Sequence, residues 1–367
     1  MIGSKSETHL MKTTENFENS ISKFTNYANF PLLPTAEAII QPMNAFFEHF
    51  FATDESIEMD EWEKALPTKL EQQQMRKLIH FLFRLDVFSG ISSDRRFLQG
   101  FVPTLAKSVQ LTFIGELFCV IHEHFPPAPF RRFPRFWGYT VITARAHSLR
   151  PHLHHSAAHF ESDGNVCNQS AALFERTLSR SLVISGANRF AVRGNVSSPC
   201  QSHFAVADAA HNEQTMFHTM CTALFEADRT EGTFVQWHGM APTSCEGASA
   251  FLSAGARRGH PIYSKSGAAL NRLVNTVNSI IGERAATTPD SEPKCRLVAS
   301  TNIFGRVING VPMTKACNTT AQAKDIKGKF IHIEQKNELC NDWGVWTKAL
   351  EKVFPAKEKK SGKNANK

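Results

Sequence analysis

Past residue 134 the sequence alternates between short apolar runs and longer amphipathic runs, and this alternation restricts the folds that the chain can adopt. The short runs are rich in β-branched and aromatic residues, as is typical of strands. They occupy residues 137–145, 152–159, 181–185, 234–237 and 330–333, and the runs with helical spacing occupy residues 166–176, 208–226 and 264–281. Strands that alternate with helices predict a three-layer α/β domain, in which helices flank a mostly parallel mixed sheet.

The sequence before residue 134 has a different character. Apolar residues recur at roughly helical spacing over residues 36–51, 60–88 and 105–122, with a restart at Pro67, so a small helical region is expected there. A stiff segment rich in proline and arginine follows it. The predicted organisation is a flexible N-terminus at residues 1–34, a helical region at 35–133, an α/β domain at 134–355 and a basic disordered tail at 356–367.

The positive charge of the chain is concentrated at its C-terminal end. Residues 352–367 contain six lysines and one glutamate and therefore carry +5 of the net +7. Such a tail is typical of a solubilising end. Nucleic-acid binding through the tail is a minor alternative, because no recognition-helix motif or interleaving of aromatic and basic residues accompanies it. No apolar run reaches the length of about 18 residues that a membrane span needs, so neither nucleic acid nor a membrane span is expected.

The eight cysteines favour disulfides over a metal cluster. None of them forms a CxxC pair, which argues against a thiolate zinc site. Four lie in polar, loop-like contexts that suit an oxidising compartment, namely Cys200, Cys245, Cys295 and Cys317. We predict the bridges Cys200–Cys245 and Cys295–Cys317 for a protein that matures in such a compartment. The N-terminus lacks the apolar region of a signal peptide, so the sequence leaves the compartment open.

A histidine at the end of a predicted strand marks the candidate chemistry. Residues 234–240 read Phe-Val-Gln-Trp-His-Gly-Met, an apolar run that ends on His238 and a glycine. Functional sites of α/β proteins collect where strands end, and a catalytic zinc takes three protein ligands and leaves one position open. The near pair His159 and Asp163, followed by the distant His238, is how many mononuclear zinc hydrolases are arranged. Glu161 is a competing carboxylate in the same loop.

A zinc hydrolase also needs a carboxylate without metal contact, because the attacking water must lose a proton. Glu334 follows the late apolar run and fits this role, although an ordinary surface acid is equally compatible with the sequence. Asp208, His211 and His218 form a rival group. If Asp208 caps a helix, the two imidazoles share one helix face. They would then bind metal, hydrogen-bond a substrate or simply face solvent.

The order of these motifs resembles the zinc-dependent N-formylglutamate amidohydrolases and, more distantly, the zinc carboxypeptidases. The resemblance covers about residues 137–335 and rests on the His…Asp loop, Ala-Asn-Arg at 187–189, Gln-Trp-His-Gly at 236–239 and Ile-His-Ile-Glu at 331–334. It implies a zinc-hydrolase-like domain with the first ligand on an early loop, a later histidine at a strand end and a catalytic glutamate on a C-terminal strand.

The resemblance also implies how a substrate would be held. Arg189, with Asn188 beside it, would bind a substrate carboxylate, and the planar guanidinium suits such bidentate contact. Arg193 and Arg306 are alternatives to Arg189, and His211 is a further candidate for substrate contact.

Two departures from the amidohydrolase pattern leave one ligand open. Alanines precede His159 where the family has a proline, and Gln236 stands where the family has an acid. The first metal ligand is therefore His159 or another histidine of the same segment, which contains His152, His154 and His155.

The candidate residues and the resemblance together imply a phosphorylase/hydrolase-like fold and a metal-dependent hydrolase that cleaves an amide or peptide C–N bond through a zinc-activated water. A small acylated amino acid or a peptide is the expected substrate. The alternative is a non-catalytic binding protein that retains the hydrolase scaffold. The sequence has no GxSxG elbow, P-loop or GxGxxG motif, which argues against serine hydrolases and nucleotide-dependent enzymes.

Overall fold

The computed structural model describes residues 38–91, 95–126, 132–282 and 284–358. The predicted flexible N-terminus at residues 1–34 and most of the predicted basic tail lie outside this part of the chain.

In the part of the chain that the structure describes, a nine-stranded mixed sheet forms the centre. Its strands are β1 (Val109–Ile114), β2 (Phe118–Glu123), β3 (Tyr139–Thr143), β4 (Arg150–Ala157), β5 (Ser179–Ile184), β6 (Thr233–Gly239), β7 (Ala250–Ser253), β8 (Ala286–Thr287) and β9 (Phe330–Gln335). They lie in the order β1-β2-β3-β5-β4-β6-β9-β7-β8. The neighbours β5, β4, β6 and β9 run parallel to one another, as do β7 and β8, and the other pairs are antiparallel.

Helices cover both faces of this sheet. They are α1 (Ile40–Phe47), α2 (Met59–Ala65), α3 (Lys69–Phe83), α4 (Arg95–Phe101), α5 (Val166–Thr177), α6 (Met216–Ala227), α7 (Ala269–Ile281), α8 (Ile303–Ile308), α9 (Asn337–Asn341) and α10 (Trp343–Val353). Single 3₁₀ turns lie at Glu48–Phe50, Leu105–Lys107, Pro261–Tyr263, Met313–Lys315 and Ala323–Asp325. Within the described ranges, no helix is long and apolar enough to cross a bilayer.

The two faces of the sheet bury different side chains, because successive residues of a strand point to opposite sides. Phe234 and Phe330 pack against α3, α6 and α8 on one face. Val235, Trp237 and Ile333 pack against α7 and α10 on the other face, and α1 and α5 continue that layer over β3 and β5. The prediction of a three-layer α/β domain preceded by helices is therefore confirmed. The sheet is mixed rather than mostly parallel, because four of its eight strand pairs are antiparallel.

The helix predicted over residues 105–122 is wrong, and this segment forms the hairpin of β1 and β2 instead. Val109 and Leu111 are buried while Gln110 and Thr112 are half-buried, a period of two that belongs to strands. Gly115 turns the chain with φ of +54°, a conformation that glycine adopts without strain. The region expected to be helical thus adds two strands to the edge of the sheet.

The helix predicted over residues 208–226 begins later than expected. Thr215 is the N-cap and accepts a hydrogen bond from the backbone of His218 at 3.2 Å, so α6 starts at Met216. Asp208 and His211 lie in the loop before this helix. The two imidazoles of His211 and His218 consequently do not share a helix face.

The predicted break at Pro67 is confirmed, since α2 ends at Ala65 and Thr68 caps α3.

Two disulfides join loops around the sheet, and their pairing differs from the prediction. The bonds are Cys200–Cys317 and Cys245–Cys295, so the four predicted cysteines are bonded but the bridges Cys200–Cys245 and Cys295–Cys317 are wrong. The remaining four cysteines, Cys119, Cys167, Cys221 and Cys340, are free and buried. Loop contexts indicate which cysteines are bonded, whereas the partners depend on how the loops pack.

Candidate metal centre

The candidate ligands come from the ends of adjacent parallel strands. His238 on β6 lies directly opposite Glu334 on β9, in a register that brings both side chains to the same face of the sheet. His159 and Asp163 lie in the loop between β4 and α5, and β4 is the other neighbour of β6. Because these strands are parallel, their carboxyl ends meet at one edge of the sheet.

Three donor atoms converge at this edge. Nδ1 of His159, Nδ1 of His238 and Oδ2 of Asp163 are separated by 3.0 Å between the two nitrogens and by 2.9 and 3.0 Å from each nitrogen to the oxygen. A tetrahedral zinc with bonds of about 2.0 Å places its ligand atoms about 3.3 Å apart. Two imidazoles and one carboxylate, all buried, could therefore hold a metal ion between them.

The far nitrogen of His238 is fixed by a chain of hydrogen bonds. Nε2 lies 2.9 Å from Oε1 of Gln236, and the amide of Asn302 donates to the same oxygen. The orientation of Asn302 is set in turn, because its own oxygen accepts from the backbone N–H of Gly305 at 2.8 Å. Nε2 of His238 must therefore carry the proton, which leaves a lone pair on Nδ1 directed at the other two donor atoms.

The far nitrogen of His159 faces a carboxylate. Nε2 lies 2.9 Å from Oδ1 of Asp208, and both side chains are buried. Burial and Arg189 act to lower the pKa of His159, but the carboxylates of Asp163 and Asp208 outweigh them and raise it to about 9. Without a metal, His159 therefore holds a proton that a cation at Nδ1 would replace.

The pKa values of the other two candidate ligands, His238 and Asp163, are both lowered, which favours the protonation states that bind a metal. Burial lowers the pKa of His238 to about 4, and Asp163 opposes this only in part, so the imidazole is neutral. Burial alone would raise the pKa of Asp163, yet the nearby charges of His159 and Arg189 hold it well below its usual value. A neutral imidazole and an ionised carboxylate are the forms that bind zinc.

Arg189 lies against the ligands. Its Nη2 donates to Oδ1 of Asp163 and lies 2.6 Å from Nδ1 of His159, while Nε donates to the hydroxyl of Ser162 at 3.1 Å. The neighbouring Asn188 donates to Glu161 at 3.0 Å. The structure thus brings Arg189 to the site, and binding of a substrate carboxylate by Arg189 and Asn188 stays a prediction.

The other substrate-binding candidates use their donors elsewhere. Arg193 is exposed and pairs with Glu58, and Arg306 donates to the backbone carbonyls of Ser300, Ala316 and Cys317. His211 lies 2.7 Å from the side-chain oxygen of Gln201 and stacks on Phe204. These contacts lend no support to a substrate role for Arg193, His211 or Arg306.

The competing histidines for the first ligand also have other partners. His152 and His154 both contact Asp228, at 2.9 and 3.0 Å. His155 contacts the hydroxyl of Ser179 at 3.0 Å and accepts from the indole N–H of Trp237. In the part of the chain that the structure describes, His159 is the histidine of this segment that meets Asp163 and His238.

Glu334 lies at the edge of the donor group. Its side chain is 12% exposed, and Oε1 is 3.5 Å from Nε2 of His332. Burial and the Asp163 carboxylate raise the pKa of Glu334 to about 8, against a smaller lowering by His159 and Arg189. His238, His332 and Glu334 form a second group with ligand atoms within 4.8 Å of one another. The shorter separations favour His159, Asp163 and His238 as the ligands.

Two neighbours of the centre were not predicted as site residues, namely Gln236 and His332, and Asp208 was grouped with His211 and His218 rather than with His159. Gln236 and His332 each precede a predicted residue by two positions in a strand. The alternation of side chains in strands places them on the same face and could have identified them. Asp208 carries no comparable signal.

Gly239 allows the loop of Asp163 to approach β6. A Cβ added at residue 239 would lie 2.3 Å from the carbonyl oxygen of Asp163, and the backbone N–H of Gly239 donates to Oδ2 of Asp163 at 3.2 Å. We expect Gly239→Ala to displace Asp163, to weaken zinc binding and to cost about 1–3 kcal/mol of stability, as overpacking typically does. Zinc titration and thermal unfolding measure both effects.

The matched control is Gly267→Ala, where an added Cβ meets no atom within 4 Å. Unchanged zinc affinity in Gly239→Ala would mean that Asp163 does not depend on this contact.

Comparison with known proteins gives little beyond the geometry. No protein-family model and no curated protein matches the chain. Among solved structures, the gene product Atu2144 from Agrobacterium tumefaciens is similar with a TM-score of 0.28 and 11% identity, over 55% of this chain and 86% of that chain. At this level of similarity, nothing about the fold or function of the present chain follows from it.

Proposed function

We propose that this protein is a metal-dependent hydrolase of amide or peptide C–N bonds, with zinc held by His159, Asp163 and His238. The observation that carries the proposal is the triangle of Nδ1, Nδ1 and Oδ2 atoms with sides of 2.9–3.0 Å. In the metal-free protein, the proton on Nδ1 of His159 lies between the lone pair of His238 and the carboxylate of Asp163. A cation shared by all three atoms would satisfy that arrangement.

When bound, zinc supplies an activated water and polarises the carbonyl of the substrate. The chain itself supplies the remaining parts. Gln236 holds the proton of His238 on Nε2, and the backbone N–H of Gly239 supports the carboxylate of Asp163. Glu334 lies beside the ligands on β9 and would accept the proton of the water. A nearby cation favours the ionised form of a carboxyl group, which is the form that a base requires.

The substrate class follows from the resemblance in motif order. Small acylated amino acids and short peptides are the substrates that it implies. The side chain of Arg189 is 25% exposed beside the ligands, so it is the cation best placed to meet an anionic substrate group.

A metal and turnover measurement tests the proposal. Purified protein is expected to bind about one zinc per chain, to lose it to a strong chelator and to regain it on addition of zinc. Hydrolysis of a panel of N-acyl amino acids and dipeptides should follow the zinc content. A protein that binds no zinc contradicts the proposal. Zinc binding without turnover on any member of the panel would favour the non-catalytic alternative.

A further inference from the structure

The distal side of His159 is held by a loop rather than by the sheet. Oδ1 of Asp208 lies 2.9 Å from Nε2 of His159 and also accepts from the backbone N–H of Ala210 at 3.0 Å. Both side chains of the pair are nearly inaccessible to solvent, with exposed fractions of 4% and 2%. Such a carboxylate fixes the ring orientation and the tautomer of a metal-binding histidine and raises its basicity.

The loop that carries Asp208 is tied to a second loop by a disulfide. Cys200 bonds to Cys317, which follows α8 in the chain. Gln201, next to the disulfide, donates to the carbonyl of Cys317 at 3.2 Å and to that of Thr301 at 2.9 Å.

The same residues contact the turn around Asp208. The side-chain oxygen of Gln201 lies 2.7 Å from Nδ1 of His211. Ser198 donates to the carbonyl of His211 at 3.0 Å and accepts from the backbone of Cys200 at 3.2 Å. The backbone N–H of His211 in turn donates to the carbonyl of Asp208 at 3.0 Å. A continuous series of contacts therefore connects the disulfide to the distal side of His159.

We propose that Asp208 is a positioning residue for the metal ligand His159, and that the Cys200–Cys317 disulfide holds Asp208 in place. The metal affinity of the centre then depends on the oxidation state of this bond. The inference rests on the proposed metal centre and adds its regulation by a thiol–disulfide couple. A dithiol reductant would transfer two electrons and two protons to the S–S bond of the protein. The protein then carries two thiols, and the reductant becomes a disulfide.

The variants must separate this effect from metal binding by the freed sulfurs. Cys200, Cys317 and Glu213 form a group that could itself hold a metal ion. Serine replaces both thiols without creating such ligands, so Cys200→Ser/Cys317→Ser is the appropriate variant. Cys245→Ser/Cys295→Ser removes the other disulfide and serves as the matched control.

Zinc affinity is measured by competition with a chromophoric chelator, and the visible spectrum of bound cobalt(II) reports the geometry of the ligands. Asp208→Ala is expected to weaken zinc binding by about 10–100-fold, the range for loss of an outer partner, with partial rescue in Asp208→Asn. Cys200→Ser/Cys317→Ser should weaken binding in the same direction and alter the cobalt spectrum. The control variant Cys245→Ser/Cys295→Ser should leave the zinc affinity and the cobalt spectrum unchanged.

A combined variant tests the route of the effect. If the disulfide acts through Asp208, adding Asp208→Ala to Cys200→Ser/Cys317→Ser should produce no loss beyond that of Asp208→Ala alone. If the losses of zinc affinity in the two variants add fully, the disulfide does not act through Asp208, and the inference is overturned. If the serine variant folds poorly, treatment of folded Cys245→Ser/Cys295→Ser with a phosphine reductant opens Cys200–Cys317 alone, and alkylation of the freed thiols removes them as ligands. Zinc binding should then weaken as expected for the serine variant.

The outcomes distinguish this inference from the proposed function. A wild type that binds no zinc overturns both. If the wild type binds zinc and Asp208→Ala binds it equally tightly, the inference is overturned and the hydrolase proposal still stands. Equal weakening in the two disulfide variants would also overturn it, because the effect would then be general destabilisation.

Discussion

Replacement of His238 by alanine is expected to abolish measurable zinc binding while the fold is retained. The variant removes the nitrogen that lies 3.0 Å from both other donor atoms. Two protein ligands cannot form the three-ligand site that a catalytic zinc uses. The loss of affinity should therefore exceed the roughly 10–100-fold cost of removing an outer partner. Secondary structure should persist, because β6 is held on both sides by β4 and β9.

The measurement is zinc stoichiometry after dialysis, together with far-UV circular dichroism. His152→Ala is the matched control, since it removes a half-exposed histidine whose partner is Asp228. It should keep the zinc content of the wild type. Zinc binding in His238→Ala that equals the wild type would exclude His238 as a ligand and would require a different centre.

The placement of His238 and Glu334 could be predicted because it depends on local patterns. Each follows a short apolar run, and the parallel arrangement of strands separated by helices brings such ends to one edge. The register in which His238 lies opposite Glu334 could not be derived in the same way. The register depends on how the two strands pack against common neighbours. The sequence of each strand alone is compatible with several registers.

Asp208 shows why a local pattern can mislead. An aspartate before an apolar helical run predicts an N-cap, yet Thr215 caps the helix and Asp208 contacts His159. The two residues are 49 positions apart in sequence. This contact forms only because a long loop folds back over the end of β4, and no periodicity of the sequence encodes that path.

The disulfide pairing illustrates the same limit. Four cysteines allow three pairings, and spacing does not choose among them. The observed bond of Cys200 to Cys317 spans 117 residues and requires the loop after α8 to reach the loop before α6. The hairpin of β1 and β2, in contrast, could have been predicted from the sequence. Apolar and polar residues alternate over residues 109–113, and a glycine follows at residue 115, where the chain turns.

Replacement of Glu334 by glutamine is expected to lower turnover by about 10²–10⁴-fold, the range that general acid–base catalysis contributes, while zinc remains bound. Glu334 lies opposite His238 in the sheet, whereas the donor atoms of the proposed ligands His159, Asp163 and His238 lie 2.9–3.0 Å from one another. Glutamine keeps the size and the hydrogen-bonding capacity of the side chain and removes its basicity. Because burial raises the pKa of Glu334 to about 8, the metal-free fold already accommodates a neutral group, so stability should be preserved.

The experiment compares kcat on the N-acyl amino acid and dipeptide panel with zinc content in the same preparation. Glu338→Gln is the control, since Glu338 is an exposed acid on α9 just after β9 and should retain full turnover. Normal turnover in Glu334→Gln would remove this residue from the mechanism. Loss of zinc together with turnover would instead make Glu334 a ligand. The group of His238, His332 and Glu334 would then hold the metal, and Asp163 would support it from outside.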